Sequence, residues 1–321
     1  MTPKEQPIVT IVAPAFNELE TLPTFLERVS AALSGEDYEL IVVDDGSTDG
    51  TGALLDRLAD ADPRVVPLHL SRNFGHQAAV TAGIDHARGD AVVTIDADLQ
   101  DPPEVIPRLL ERWRAGADVV HAVRHIRPGE HRLRLFAIRR FYALFSRLAR
   151  LRTFPGNAGD FRLVGGPALT ALRSLPERNR FVRGLASWVG YRQENVVYER
   201  EARFAGRSKY PLRKLLQLAV DGLVSFSTAP LRMAAGLGLL FSLGAFAAIP
   251  VVVVLRLLDL YRVSGIASVH ILVLLIGGIQ LVFLGVIGEY LGRTYDEGKR
   301  RPIYLVAPRT EPTEPERADG G

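Results

Sequence analysis

Asp96-Ala97-Asp98 sets two carboxylates around one small residue, directly after the apolar run Val92-Val93-Thr94-Ile95. Such a pair can share a divalent cation that also binds two phosphate oxygens, and Mg²⁺ or Mn²⁺ suits this all-oxygen shell. Acidic pairs also arise by chance or as helix caps. The strand-like run before the pair and Leu99-Gln100-Asp101-Pro102-Pro103 after it favour a metal site. A second acidic cluster, Asp44-Asp45-Gly46-Ser47-Thr48-Asp49-Gly50-Thr51, ends another apolar run. Its carboxylates can accept hydrogen bonds from ribose hydroxyls or a base N–H, its glycines allow a tight turn, and Ser47, Thr48 or Asp49 can cap the next helix. A plain capped turn explains Ser47–Thr51 but not two adjacent acids closing a strand. His76, His121, His125 and His270 show no metal-ligand spacing.

These residues need a scaffold that gathers strand ends. Ile8–Pro14, Glu39–Asp44, Val65–Leu70 and Ala91–Asp96 read as buried strands, and Thr21–Leu33, Thr51–Ala61 and His76–Ala87 show helical spacing between them. That alternation predicts an α/β domain with a mostly parallel, Rossmann-like sheet. Ligands of such sheets bind outside the carboxyl ends of the strands, where Asn17-Glu18, Asp44-Asp45, Asp96 and Asp98 fall.

Charge is divided along the 321 residues. Residues 1–123 carry 9 basic and 21 acidic side chains, 124–214 carry 21 and 6, and 215–321 carry 9 and 9. An acidic half followed by a basic segment predicts one site for cations and one facing anions. Nucleic acid is one class of anionic partner, but two long apolar segments beyond the basic one favour a membrane. Met233–Leu255 and Val263–Gly288 contain no Asp, Glu, Lys or Arg, and their 23 and 26 residues exceed the roughly 20 needed to cross a bilayer. Buried core helices seldom stay uncharged so long. Arg207, Lys209, Arg213, Lys214 and Arg232 precede the pair, and Arg293, Lys299, Arg300 and Arg301 come after it. The positive-inside rule therefore puts both termini in the cytoplasm of a multi-pass protein of the cell membrane. Met1–Gln6 are polar, so no signal peptide is expected.

The expected organisation is a cytoplasmic domain over 1–210, an interface helix at 131–151 within it, and a second amphipathic helix over 211–228. Two membrane helices then fill 229–291 (about 233–255 and 263–288), and a cytoplasmic tail covers 292–321. The segment from His131 to Leu151 mixes Leu, Phe and Tyr with six Arg, which suits the headgroup plane of a lipid bilayer. Arg309–Gly321, rich in Pro, Glu and Thr, is expected to be disordered. With no Cys there is no disulfide, Fe–S cluster or thiol nucleophile. Gly277-Gly278 and Gly285 could pack paired hairpins into a homo-oligomer.

Taken together, PAFNE (Pro14–Glu18), VDDGSTDGT (Val43–Thr51), SRNFGHQAAVTAG (Ser71–Gly83) and DADLQDPPE (Asp96–Glu104) resemble family 2 glycosyltransferases of the GT-A fold. The closer resemblance is to polyprenyl-phosphate glycosyltransferases, the group of dolichyl-phosphate mannose synthases and bactoprenol glucosyltransferases. AGDFRL (Ala158–Leu163), RFVRGLASWVGYRQ (Arg180–Gln193), RFAGRSKYPLRKL (Arg203–Leu215) and GEYLGRTYDEGKRRPIYLV (Gly288–Val306) favour the bactoprenol branch. Phe16 departs from the Tyr frequent in relatives. No Gln-x-x-Arg-Trp occurs, which argues against a processive polysaccharide synthase.

The resemblance implies inverting transfer of one hexose from a nucleotide sugar, with UDP-glucose favoured, to a polyprenyl phosphate such as undecaprenyl phosphate. GDP-mannose is the alternative donor, and a non-catalytic sugar-lipid carrier is the alternative from another class. It implies that Pro14, Ala15, Asn17, Glu18, Asp44 and Asp45 line the nucleotide, while Asp96, Asp98 and Gln100 surround metal and diphosphate. A dianionic acceptor needs cations, and the candidates are Arg124, Arg139, Arg162, Arg207 and Lys209, with Ser208 as a hydroxyl donor. Asp160, the only acid between Glu130 and Glu177, would orient or deprotonate the attacking phosphate, or else hold Arg162 in a salt bridge. Because the second phosphate pKa is about 6, a strong base is not obligatory.

Overall fold

A computed structural model describes residues 9–125, 158–178, 180–200, 228–258 and 266–308. The expected interface helices, Arg139, Arg207, Ser208, Lys209 and the tail from 309 lie outside the described residues. Strands β1 (Val9–Ala15), β2 (Tyr38–Asp44), β3 (Val65–His69) and β4 (Ala91–Thr94) alternate with helices α1 (Leu22–Ala32), α2 (Thr51–Ala61) and α3 (His76–His86). A 3₁₀ turn at Pro103–Val105 leads into α4 (Ile106–Arg114) and β5 (Val119–Arg124). Then come β6 (Ala158–Gly165), α5 (Gly166–Ser174), α6 (Val182–Trp188) and β7 (Gln193–Tyr198).

Seven strands form one sheet in the order β3-β2-β1-β4-β6-β5-β7. β1 pairs in parallel with β2 and β4, and β2 with β3, while β6 runs antiparallel to both neighbours. Every residue of β1 and β2 is buried, as expected of parallel strands covered on both faces. Thr10 and Glu39 satisfy each other: Thr10 donates to Glu39 at 2.6 Å, and Glu39 also accepts from the Arg88 main chain and guanidinium. The strand order turns between β1 and β4, so the switch-point crevice opens beside Asp96.

β4 ends at Thr94, two residues before Asp96. Antiparallel β6 consequently starts beside the end of β4: Thr94 aligns with Arg162, and the Thr94 hydroxyl donates to the Asp160 carbonyl at 2.5 Å. This strand carries Asp160 from a distant part of the sequence to the crevice.

Two compact units are present, Met1–Lys214 with Arg301–Gly321, and Leu215–Arg300. In the second, α7 (Ala229–Leu257) and α8 (Ile266–Gly298) each contain a 27-residue candidate membrane span, Ala229–Leu255 and Leu272–Gly298, whose most apolar part the described residues leave uncovered. Helix α8 runs past the charge-free segment, carrying Glu289 and Arg293 as an i,i+4 ion pair at 2.9 Å. In the first unit, the residues after α8 return to the sheet. Leu70 and Val306 form an antiparallel bridge, flanked by Ser71 N–H to Leu305 O at 2.9 Å and Ala307 N–H to His69 O at 2.8 Å.

Candidate active site

Three loops at the carboxyl ends of β1, β2 and β3 are laced together by side chains. The first begins at Asn17, in the left-handed region with φ 58°. Its N–H donates to Ser47 Oγ at 3.0 Å, and its Oδ1 accepts from Thr48 N–H at 2.9 Å. Glu18 N–H reaches Thr51 Oγ1 at 3.0 Å. Asp44 accepts from Ser47 N–H at 2.9 Å and faces His69 Nδ1 at 3.2 Å, and the other His69 nitrogen lies 3.1 Å from Asp56. Burial raises the Asp44 carboxyl, but the His69 and Ser47 hydrogen bonds outweigh it and hold it below its ordinary value. Asp45 accepts from Phe74 N–H at 2.7 Å and Gly75 N–H at 2.9 Å, which anchors the 71–75 loop over β2. Burial leaves Asp45 above the usual carboxylate range. Gly46 cannot be replaced here. Its φ is 69°, and a Cβ would sit 2.6 Å from the main chain of Arg72 and Asn73.

The expected nucleotide residues thus divide. Pro14 and Ala15 lie buried in β1, where they form the sheet beneath the crevice, and Ala15 O accepts from Asp45 N–H. Asn17 is exposed at its mouth, and Phe16, 46% exposed, stands beside it. Asp44 and Asp45 are each almost fully buried, so their first task is to order the loops.

The expected metal pair, Asp96 and Asp98, follows the end of β4. Asp98 Oδ1 accepts from Gln100 N–H at 3.1 Å, closing a tight turn in which Leu99 takes φ 59°. Gln100 is 7% exposed, and its Nε2 has no hydrogen-bond partner among the described residues. Burial pushes Asp96 up to about 6, with Asp160, Asp98 and Asp101 adding to the effect and His76 opposing it. Carboxylates crowded to this degree lack positive charge. Oxygen donors suit Mg²⁺ or Mn²⁺, and among the described residues no third His, Cys, Asp or Glu completes a ligand group.

His76, set aside on spacing alone, is central in space. At the start of α3, its Nε2 is 3.3 Å from Asp160 Oδ2 and 3.7 Å from Asp96 Oδ1. Burial lowers it, but the Asp160 hydrogen bond and the charges of Asp96 and Asp160 prevail and raise it to about 9. Arg183, on α6, donates to the same Asp160 Oδ2 at 3.1 Å. Burial raises Asp160, yet His76, Arg183 and Arg162 together hold it far below the ordinary range. The signals were the SRNFG loop ahead of α3 and Arg183 within RFVRG, but neither indicates its partner.

Arg162, expected to meet the lipid phosphate, is corrected by the structure. It is 1% exposed, its guanidinium donates to the main-chain carbonyls of Gly159, Asp160 and Val182, and it lies 3.6 Å from Asp160 Oδ1. It supports Asp160 from below and offers a phosphate no surface. Arg124 is part-exposed and already engaged, with Tyr198 Oη at 3.2 Å and Asp101 at 3.4 Å. Asp101, fully buried, also accepts from Tyr198 at 2.5 Å and lies 3.5 Å from Arg200. This cluster ties the loop after Asp98 to β5 and β7.

The model of the family "Glycosyl transferase family 2" matches residues 10–166. The glycosyltransferase YkcC of Bacillus subtilis is 44% identical over 299 residues, covering 92% of each chain. The bactoprenol glucosyl transferase of Shigella phage SfV is 42% identical over 300 residues, covering 93% of this chain and 97% of that one. Among solved structures, glucosyl-3-phosphoglycerate synthase from Mycobacterium tuberculosis with Mn²⁺ and UDP-glucose aligns with a TM-score of 0.46 at 23% identity, covering 68% of this chain and 77% of that one.

Proposed function

The chain belongs to glycosyl transferase family 2, and from that premise we propose that it transfers one glucose from UDP-glucose to a polyprenyl phosphate at the cytoplasmic face of a membrane. The observation that carries this reading is the joining, in one chain, of an acidic strand-end crevice to two uncovered apolar helices of membrane-spanning length. Relatives at 42% identity whose names specify glucosyl transfer to bactoprenol support the same donor sugar and acceptor.

A non-bridging phosphate oxygen of the lipid attacks the anomeric carbon. The bond from that carbon to the nucleoside diphosphate breaks, its electron pair leaves with the diphosphate, and configuration inverts. Asp96 and Asp98 would hold the divalent cation, which when bound neutralises charge developing on the leaving diphosphate. Asp44, Asp45 and Asn17 keep three loops in place around the nucleotide. Asp160, held ionised by Arg183 and His76, is a poor proton acceptor, and a phosphate ionised at neutral pH needs none. Its proposed role is to position His76 and Arg183 beside Asp96. For the acceptor phosphate, Lys209, Ser208, Arg207 and Arg139 remain the proposed contacts, joined by the partly exposed Arg124. The pairing of residues 305–307 with the catalytic unit supports an even number of crossings, with both ends of the helical hairpin on the catalytic side.

The test is incubation of the purified chain with UDP-glucose, UDP-galactose or GDP-mannose, a polyprenyl phosphate, and Mg²⁺ or Mn²⁺, with mass detection of the glycolipid. Glucose transfer that requires both metal and lipid phosphate is the expected result. Transfer to a phosphate-free lipid, or no transfer from any donor, would overturn the proposal.

A further inference from the structure

We propose that residues 304–307, beyond the second apolar helix, are a working part of the donor site: a strap that holds the 71–75 loop in the shape Asp45 requires. The inference rests on the reading of that crevice as the nucleotide-sugar site.

Loop 71–75 is clamped at two points. At its far end, Phe74 and Gly75 present their N–H groups to Asp45. At its near end, Ser71 N–H donates to Leu305 O, and the preceding His69 carbonyl accepts from Ala307 N–H. Between them Leu70 faces Val306 across an antiparallel bridge. Without residues 305–307, the Ser71 N–H and His69 C=O would lose these partners, where β3 would otherwise be a bare sheet edge. The strap is also pinned sideways. Tyr304 Oη donates to Asp85 at 3.2 Å, and its ring lies 6.0 Å from that of His86, both on α3. Helix α3 begins with His76, so one short segment braces the loop and the helix that supply Gly75 and His76 to the crevice.

The bracing has to come from outside the sheet. Gly75 has φ 96°, and Gly46 admits the Arg72–Asn73 main chain at a distance no side chain would tolerate. A loop passing so close to β2 must be held at both ends to keep its register. The strap follows α8 by only a few residues of chain, and it holds the 71–75 loop through main-chain hydrogen bonds.

The experiment uses the full chain in detergent beside Ala307→Pro, which removes one bridging N–H, Tyr304→Phe, and a chain ending at Pro302. UDP-glucose with Mg²⁺ is titrated calorimetrically, and hydrogen exchange is followed over residues 69–75 without nucleotide. Loss of one or two main-chain hydrogen bonds corresponds to roughly threefold to tenfold weaker donor binding in Ala307→Pro. Faster exchange at Ser71, Phe74 and Gly75 should accompany it. The shortened chain should show the same pattern, and Ala307→Pro keeps the test decisive if that chain does not fold. Unchanged donor affinity in Ala307→Pro overturns the proposal. If the native chain binds no UDP-glucose, the donor reading fails instead, and the exchange data alone decide the strap, unchanged rates overturning it.

Discussion

At the scale of single residues, the crevice is a problem in charge balance. Asp96, Asp98, Asp101 and Asp160 converge where, among the described residues, His76, Arg183, Arg162, Arg124 and Arg200 oppose them. Asp96 remains under-compensated, which is the electrostatic condition for recruiting a cation with a diphosphate. Asp96→Asn or Asp98→Asn should therefore abolish transfer in a protein that still folds, and EDTA should do the same to the native chain. Near-normal turnover in either variant, assayed with metal present, would remove the pair from the mechanism. Arg183→Gln tests the other side of the balance. Losing a charge-assisted hydrogen bond to Asp160 costs about 1.5–3 kcal/mol, so kcat/KM should fall roughly tenfold to a hundredfold. Donor affinity should hold, because Arg183 faces Asp160 and not the loops around Asp44 and Asp45.

At the scale of elements, the site depends on how closely helices and strands approach. Helix α3 carries His76 to the crevice and lies on β1 only because residue 83 lacks a side chain. A Cβ at Gly83 would fall 2.2 Å from Val12 Cγ1. Gly83→Ala should lower stability by about 1–3 kcal/mol, as overpacking does, and should depress activity by lifting His76 away from Asp160. Denaturant titration and steady-state kinetics would check the two effects. On the other half of the sheet, His121 in β5 is 1% exposed, and burial, reinforced by Arg162, pushes its pKa down to about 4. Its unfolded value is near 6.5, so between the two the unfolded chain binds more protons. Stability is then fully present above pH 6.5 and is lost as pH falls toward 4, by up to about 3 kcal/mol. His121→Gln should flatten the decline of Tm over that interval. An identical slope in both proteins would deny His121 this role.

At the scale of the whole molecule, the chain couples an α/β domain to two helices whose apolar surfaces are uncovered among the described residues. Since the native sequence has no Cys, single substitutions report sidedness cleanly. A cysteine at Ser264, between the helices, should react with an impermeant thiol reagent applied outside intact cells. Cysteines at Ser47 or Thr310 should react only after the membrane is opened. Labelling of position 310 in intact cells would contradict the two-crossing arrangement.

Local patterns already determined much of this protein. Apolar runs specified β1, β2 and β4, and the acids that close the last two placed Asp44, Asp45, Asp96 and Asp98 at one edge of a sheet, because parallel strands must point their carboxyl ends the same way. Charge-free runs specified α7 and α8 in the same fashion, since composition alone decides whether a helix can sit in lipid. Tertiary structure decided what depends on strand direction and on distant pairing. The antiparallel course of β6 brought Asp160 beside Asp96 and turned Arg162 inward, and no spacing along the chain encodes that reversal. His76 gained its place from α3 packing on β1, His69 from lying level with Asp44, and residues 304–307 from an edge of β3 more than two hundred positions earlier. Sequence records which groups a residue can bond to, but only the fold selects its partner, because hydrogen bonds and charges act across a few ångströms of space whatever length of chain separates them.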